Sequence, residues 1–260
     1  MAEAQRSTSF DAVADCYDRT RALPDDAART FTEALAAELT GRGRCLEIGV
    51  GTGRIALPLA RRELPMAGVD LSAPMLSRLV RNAGGRAPFP LARADVAALP
   101  FGPGRFGAAL AVHVLHLVPQ WRRAVAELVR VVRPSGLLLV DAGGASQGVQ
   151  DAVGARFAAE ADLPDYPGMR DAEELDGLLE ARGARRRLLA PVRVEQHRSP
   201  ESVIAELEAG IFSRTWTVTP ETRRRAAAAT RGWAADALGD LAAPRTVIEE
   251  IVVRAYDLPG

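Results

Sequence analysis

The chain is 260 residues long, 48% apolar and 25% charged, with 33 basic and 33 acidic residues. That is room for one α/β domain with an insertion or for two small domains, of which one domain with a cap is expected, and the ordinary globular composition does not indicate disorder. Zero formal charge gives no overall electrostatic case for nucleic acid or an anionic membrane, and no apolar run approaches the ~20 residues that a bilayer crossing needs.

All of the basic residues are arginine, which together with the abundant alanine reads as codon bias rather than a chemical requirement. The first residues, MAEAQRSTSF, lack a positive run followed by an apolar core. No secretory signal is therefore expected, and a cytoplasmic protein is. Cys16 and Cys45 suit neither a disulfide framework nor a metal site, so no metal is expected.

In chain order, residues 10–22 form a polar-to-amphipathic segment, and a helix follows over 25–39 with Asp25 or Asp26 as its cap. Residues 1–40 are expected to be an N-terminal helical segment ahead of a main domain over 41–260. The stretch CLEIGVGTGR, 45–54, reads as strand, tight turn and helix. Its glycines let backbone N–H groups approach a ligand, and the helix over 55–62 points its positive end at the same place. Such a turn can cradle an anionic or strongly polar cofactor. A dinucleotide fingerprint needs glycine at the sixth place of the turn, which is Arg54 here, so NAD is the weaker reading.

The second strand, MAGVDLS, ends at Asp70, whose two carboxylate oxygens match a vicinal diol. Asp70 could instead cap the next helix, but Ser72 is the better cap for the helix from Pro74 to about Asn82, which leaves Asp70 for a ligand. The third strand, 89–95, closes on Asp95. Residues 106–117, FGAALAVHVLHL, are a fourth strand that becomes a loop. This strand carries His113 and His116 just past its carboxyl end, the side on which open α/β sheets bind ligands. A helix over 121–131, a turn over 133–136 and a fifth strand over 137–141 follow. Beyond Gly143 the pattern predicts helices over 146–160 and 172–182, a sixth strand over 185–196, helices over 200–209 and 220–238, and a last strand over 246–256. The arginine runs 185–187 and 223–225 read as solvated faces, and Trp233 and His197 as structural residues.

Taken together and in order, Glu47-x-Gly49-x-Gly51-x-Gly53, Asp70, Ala94-Asp95-Val96, the Phe106–Val118 segment and Arg133-Pro134-Ser135-Gly136 resemble the motifs of class I S-adenosylmethionine-dependent methyltransferases. Over about residues 40–142 the chain is similar to the type 11, ubiquinone/menaquinone C-methyltransferase-like, small-molecule branch. Two positions depart from that pattern: Leu117 replaces the second residue of a histidine pair, and Ser135 replaces a glycine.

The resemblance implies an α/β fold with a doubly wound, Rossmann-like seven-stranded sheet, mostly parallel with an antiparallel last strand. It also implies that the segment 1–40 acts as a lid and that a helical cap insertion lies at about 199–243. The cofactor would be S-adenosyl-L-methionine, held by Tyr17, Glu47, Gly49, Gly51, Gly53, Asp70, Leu71, Met75, Asp95, Val96 and Val112. In this scheme Asp70 receives the ribose hydroxyls, Met75 lies against the adenine, and Asp95 with the following backbone meets the adenine amino group. Tyr17 either folds over the cofactor or packs its helix. His116 leads as base or substrate-orienting residue and His113 is next, with a packed, non-catalytic histidine as the alternative for each. Trp216, Phe212 and Tyr166 are candidate substrate residues.

The implied reaction is in-line methyl transfer to an oxygen, nitrogen or carbon of a small organic acceptor. The sequence lacks the Asn-Pro-Pro-Tyr or Asp-Pro-Pro-Tyr tetrapeptide that often clamps planar base nitrogens, which turns the choice away from nucleic acids. Two further alternatives are a non-catalytic S-adenosylmethionine-binding regulator or scaffold, and an RNA-directed methyltransferase suggested by the arginine runs.

Overall fold

The computed structural model describes residues 10, 11, 18, 23–141 and 146–260, so Tyr17 and most of the 10–22 segment lie outside the described residues. Strands form at Cys45–Ile48 (β1), Met66–Asp70 (β2), Leu91–Arg93 (β3), Phe106–Ala111 (β4), Val132–Asp141 (β5), Ser146–Gln147 (β6), Arg185–Leu188 (β7), Val192–Arg198 (β8), Arg245–Ile251 (β9) and Val253–Asp257 (β10). Helices are Asp25–Leu39 (α1), Ala56–Arg61 (α2), Ala73–Asn82 (α3), Trp121–Val131 (α4), Val149–Glu160 (α5), Ala172–Glu180 (α6), Pro200–Glu208 (α7) and Pro220–Leu238 (α8).

The seven-stranded sheet runs β3-β2-β1-β4-β5-β10-β7. Strands β1 to β5 are parallel, whereas β10 is antiparallel to both β5 and β7. The chain thus adopts the mostly parallel sheet with an antiparallel last strand that was expected. Its central strands are buried along their length, β1 and β4 at every position, as parallel strands covered on both faces must be.

The chain divides into two compact units. The first takes the described residues of Met1–Gly143, Pro167–Val192 and Val252–Gly260, and so holds the large sheet. Its core joins Leu46, Ile48 and Val69 to Leu128 of α4 and to Leu138 and Tyr256. Helix α4 docks because Trp121, Ala124, Val125, Leu128 and Val131 recur on one face and are buried. Each large side chain among them contributes about 1.5–3 kcal/mol by leaving water. Helix α1 has no side-chain cap at Pro24; Asp25 and Asp26 instead occupy its first turn, where they face the positive end of the helix dipole.

The second unit comprises Gly144–Tyr166 and Arg193–Ile251. It has a three-stranded sheet, β6-β9-β8, and its own core, with Val153, Phe157, Ile204, Ala227 and Val247 fully or almost fully buried. The helices expected at 199–243, α7 and α8, belong to this unit. It also contains α5 and a sheet, so it is larger than the insertion drawn from the sequence.

Two strand expectations change with it. Residues 185–196 split into β7 and β8, and 246–256 split into β9 and β10; in each case one half pairs in the large sheet and the other in the small one. Pro191, with no N–H to give a ladder, lies in the first break. The turn expected at 133–136 is a bulge inside β5: Phe106 pairs with Val132, but Ala108 pairs with Leu137.

The arginine run on edge strand β7 is paired. Arg187 bonds to Glu38 and Asp257, Arg186 to Glu180 and Arg185 to Asp257. In the second run, Arg223 donates to the carbonyls of Glu208, Thr215 and Val218. Among the described residues, no helix is long and apolar enough to cross a membrane.

Candidate active site

The sheet order reverses between β1 and β4, and the expected site residues lie at the strand ends around that point. After β1 the chain turns through Gly49, Gly51 and Gly53, all at positive φ. Gly53 is a packing glycine, because a β-carbon there would lie 2.7 Å from Leu57 Cγ and 2.9 Å from Leu79 Cγ. Gly51, at φ +54°, has nothing closer to a would-be β-carbon than the terminal Met75 Cε at 3.3 Å. Its open side faces a cleft of about 620 Å³, counting the mouth.

Asp70 ends β2 at the edge of the same cleft. Its Oδ2 accepts from the Gly51 amide and its Oδ1 from the Ser72 amide, both at 2.8 Å. Ser72 caps α3 by accepting from the Met75 amide at 3.2 Å, so Asp70 is not needed for that task. Burial pushes the Asp70 carboxyl above its ordinary range, and the amide bonds from Ser72 and Gly51 oppose the shift.

After β3, Asp95 holds its own loop by accepting from the Ala97 amide at 2.9 Å. A clip from α4 fixes the chain just beyond. Glu127 accepts from the Leu99 amide at 2.7 Å, while Arg130 donates to Glu127 at 2.7 Å and to the Phe101 carbonyl at 2.6 Å. Arg130 in turn holds the Glu127 carboxyl below the usual range.

At the end of β4 come Val112 and His113. His113 has φ +53°, and its Nδ1 lies 2.9 Å from Oδ2 of Asp141, the last residue of β5. One cleft thus brings together Gly49, Gly51, Asp70, Leu71, Met75, Asp95, Val96, Val112 and His113 of the expected site residues. Its remaining described wall is apolar: Phe10, Val114, Leu117 and Val118.

Other expected residues lie elsewhere. Glu47 sits in β1 under the turn with its Oε2 buried and without a hydrogen-bond partner among the described residues. Burial raises its carboxyl well above the usual range, against the opposing charge of Arg54. His116, the leading histidine of the sequence reading, is half-buried in the short 3₁₀ turn Leu115–Leu117 and is not among the residues lining the cleft. The chain tightens into that turn directly after His113, so it is His113 that faces the cleft. The backbone of the turn has another task, because the Leu115 and His116 carbonyls accept from Met169 and Gly168.

Tyr166, Phe212 and Trp216 belong to the second unit. There Phe212 packs on that unit's core and the Trp216 indole donates to the Gly210 carbonyl at 2.7 Å. A second hollow of about 840 Å³, lined by Thr52, Arg54 and residues of α1 and α2, contains neither Asp70 nor Asp95.

The sequence reading missed Phe10 and Asp141. Asp141 carried a usable signal, an acidic residue ending an apolar strand, the same one that drew attention to Asp70 and Asp95.

Residues 46–140 match the family model described as a methyltransferase domain. The chain is similar to a demethylmenaquinone methyltransferase of Clavibacter sepedonicus, 31% identical over 140 residues that cover 52% of this chain and 57% of that protein. It is also similar to a phosphatidylethanolamine N-methyltransferase of Cereibacter sphaeroides, 35% identical over 109 residues, 40% of this chain and 53% of that one. The chain spans about half the length of the curated relatives it matches.

Among solved structures, the YcgJ protein of Bacillus subtilis aligns with a TM-score of 0.60 at 17% identity, covering 91% of this chain and 100% of that one. The cyclase SpnF aligns with a TM-score of 0.55 at 23% identity, covering 93% and 84%. At those identities the likeness is one of fold. Over residues 46–140, less than half of its length, the chain is thus similar to methyltransferases.

Proposed function

We propose that the protein transfers a methyl group from S-adenosylmethionine to a small organic acceptor, and that the cleft beside Asp70 holds the cofactor. The arrangement of Asp70 is the observation that carries this reading. Each carboxylate oxygen is aimed by one backbone N–H and retains acceptor capacity for one of two neighbouring sugar hydroxyls.

Three further features suit the same group. Gly51 leaves room where a side chain would intrude. Leu71, Met75 and Val96 offer apolar surface for a flat base beside Asp95. Beneath the glycine turn, Glu47 keeps a buried polar atom, Oε2, without a hydrogen-bond partner among the described residues.

When bound, the cofactor supplies an electrophilic methyl on a sulfonium, a leaving group good enough that no metal or covalent enzyme intermediate is required. The protein's part is alignment and exclusion of water, worth up to roughly 7–11 kcal/mol in favourable intramolecular cases. The apolar wall Val112, Val114, Leu117 and Val118 suits that exclusion.

The acceptor is not carried over from the relatives. One is named for a quinone and another for a phospholipid amine, so their acceptor chemistries differ. His113, not His116, is the histidine of this proposal, while Tyr166, Phe212 and Trp216 remain in it as candidates for acceptor selectivity. A cytoplasmic setting belongs to the same proposal, in keeping with the buried free thiol of Cys45.

Incubation with S-adenosylmethionine and a panel of phenols, quinols and amines, read by mass spectrometry, tests the reaction. Acceptors gaining one methyl together with S-adenosylhomocysteine support it. Cofactor binding with no transfer to any acceptor would favour a regulatory or scaffold protein, and salt-sensitive RNA binding would favour an RNA-directed one.

A further inference from the structure

Resting on the methyl-transfer reading, we propose that Asp141 positions His113 as the base that deprotonates an uncharged hydroxyl on an apolar acceptor. His113 holds a left-handed backbone, φ +53°, which a residue with a β-carbon adopts rarely and keeps only where its surroundings enforce it. Asp141 ends the adjacent strand, where Ala111 and Val140 are in register, and its Oδ2 is 2.9 Å from His113 Nδ1, a close charge contact that is not aligned as a hydrogen bond. The Asp141 side chain is 2% exposed, while the imidazole is 45% exposed and lines the cleft. A buried carboxylate thus stands behind a ring that meets the ligand space.

A neutral imidazole carries one proton, and an acceptor beside one nitrogen decides where it sits. With the carboxylate at Nδ1, that nitrogen holds the proton and Nε2 keeps its lone pair. In the proposed step the acceptor's O–H proton passes to Nε2 and the oxygen's electron pair forms the bond to the methyl carbon. The pair from the breaking carbon–sulfur bond stays on sulfur. The imidazolium so formed is matched by the Asp141 carboxylate.

The surroundings define the acceptor class. Val112, Val114, Leu117 and Val118 flank His113 along the cleft, and the charged side chains lining it among the described residues are Asp70 and Asp95. With no arginine among the described residues of that wall, a carboxylate or phosphate on the acceptor would meet no countercharge from them. A neutral hydroxyl of the phenol type, which must lose a proton to react, fits both the apolar wall and the base.

The first test needs neither cofactor nor turnover. Long-range ¹H–¹⁵N spectra of the protein's 3 histidines report which ring nitrogen is protonated, with His113 assigned by its loss in His113→Asn, a residue that tolerates the same backbone. The expected result is neutral His113 protonated on Nδ1 in the wild type, with the proton moved to Nε2 or shared between the nitrogens in Asp141→Asn and Asp141→Ala. Protonation on Nε2 in the wild type, or no change in either variant, overturns the assignment even if the protein binds S-adenosylmethionine.

The second test uses para-substituted phenols of graded acidity as acceptors. His113→Asn is expected to lower kcat by ~10²- to 10⁴-fold for the least acidic phenols and progressively less for the more acidic ones, with S-adenosylmethionine affinity within about twofold. An equal loss across the series means a structural role and defeats the proposal. So does a wild type that methylates amines but no phenol.

Discussion

The amide of Gly51 donates to Oδ2 of Asp70 at 2.8 Å across 19 positions of sequence. This bond ties the glycine turn after β1 to the end of β2, so the turn backbone and the carboxylate that line one cleft are held together. Asp70 is fixed on its other oxygen by Ser72. The acidic side chain is therefore oriented before any ligand arrives, and this preorganisation lowers the ordering cost of binding.

The glycines of the turn are expected to separate under mutation. Gly53→Ala places a methyl within 2.7–2.9 Å of Leu57 and Leu79 at φ +84°, and overpacking plus backbone strain should cost about 2–4 kcal/mol of stability. Gly51→Ala meets only Met75 Cε, at 3.3 Å. It should cost about 1–2 kcal/mol through its backbone conformation, while weakening cofactor binding more than that loss would suggest. Thermal melts beside calorimetry check this, and equal effects of the two changes on both readouts would contradict it.

Glu47 gives a pH dependence with a definite sign. Burial raises its folded-state pKa well above the ordinary 4.5. From pH 4.5 up to that raised value the unfolded chain has released a proton that the folded chain keeps, so this residue's contribution to stability falls as pH rises. Glu47→Gln cannot ionise. Its cofactor-free Tm should exceed that of the wild type at neutral pH, by about 2–4 °C for each kcal/mol of difference, and the gap should close as pH drops to 4.5 and below. Parallel stability profiles across pH would refute the buried-carboxyl account.

Much of this site could be read from the chain because its signals are local. A glycine turn after an apolar strand, an acidic residue ending each of the next two strands and Ser72 ahead of Pro74 are each carried by a few neighbouring residues. Helices α1, α4 and α8 were legible for the same reason, each having a clear apolar stripe or a Thr-Pro or Pro-Asp start. What escaped depends on distant partners. The alternation in 246–256 continues through Val252 because β9 and β10 each bury one face, and no local pattern tells which sheet each half will join. Likewise the place of His113 depends on Asp141, one strand over, and the turn at 115–117 that takes His116 out of the cleft wall is fixed by hydrogen bonds from residues 168 and 169.

Tyr256 tests whether the antiparallel strand is architecture rather than chemistry. Its hydroxyl, fully buried, donates to Asp176 Oδ1 at 2.7 Å, and Arg254 lies 3.3 Å from the same carboxylate oxygen. Tyr256→Phe removes a hydrogen bond to a charged group, expected to cost about 1.5–3 kcal/mol. Denaturant melts should register that loss while the cofactor dissociation constant stays unchanged. A variant of normal stability but impaired binding would place Tyr256 in the site instead.

His116 is expected to be dispensable for chemistry. His116→Gln keeps the backbone carbonyl that holds Gly168, and methyl transfer should stay within about two- to threefold of the wild type. A loss of a hundredfold or more, with normal cofactor affinity, would restore His116 as the base and remove His113 from that role.

Asp70 offers the most direct test of the whole account, by calorimetric titration of S-adenosylmethionine into the wild type and Asp70→Ala. Losing charge-assisted hydrogen bonds to the sugar is worth about 1.5–3 kcal/mol, so affinity should fall roughly 10- to 150-fold while circular dichroism reports an intact fold. Equal affinity in a folded Asp70→Ala protein would contradict the assignment of this cleft to the cofactor.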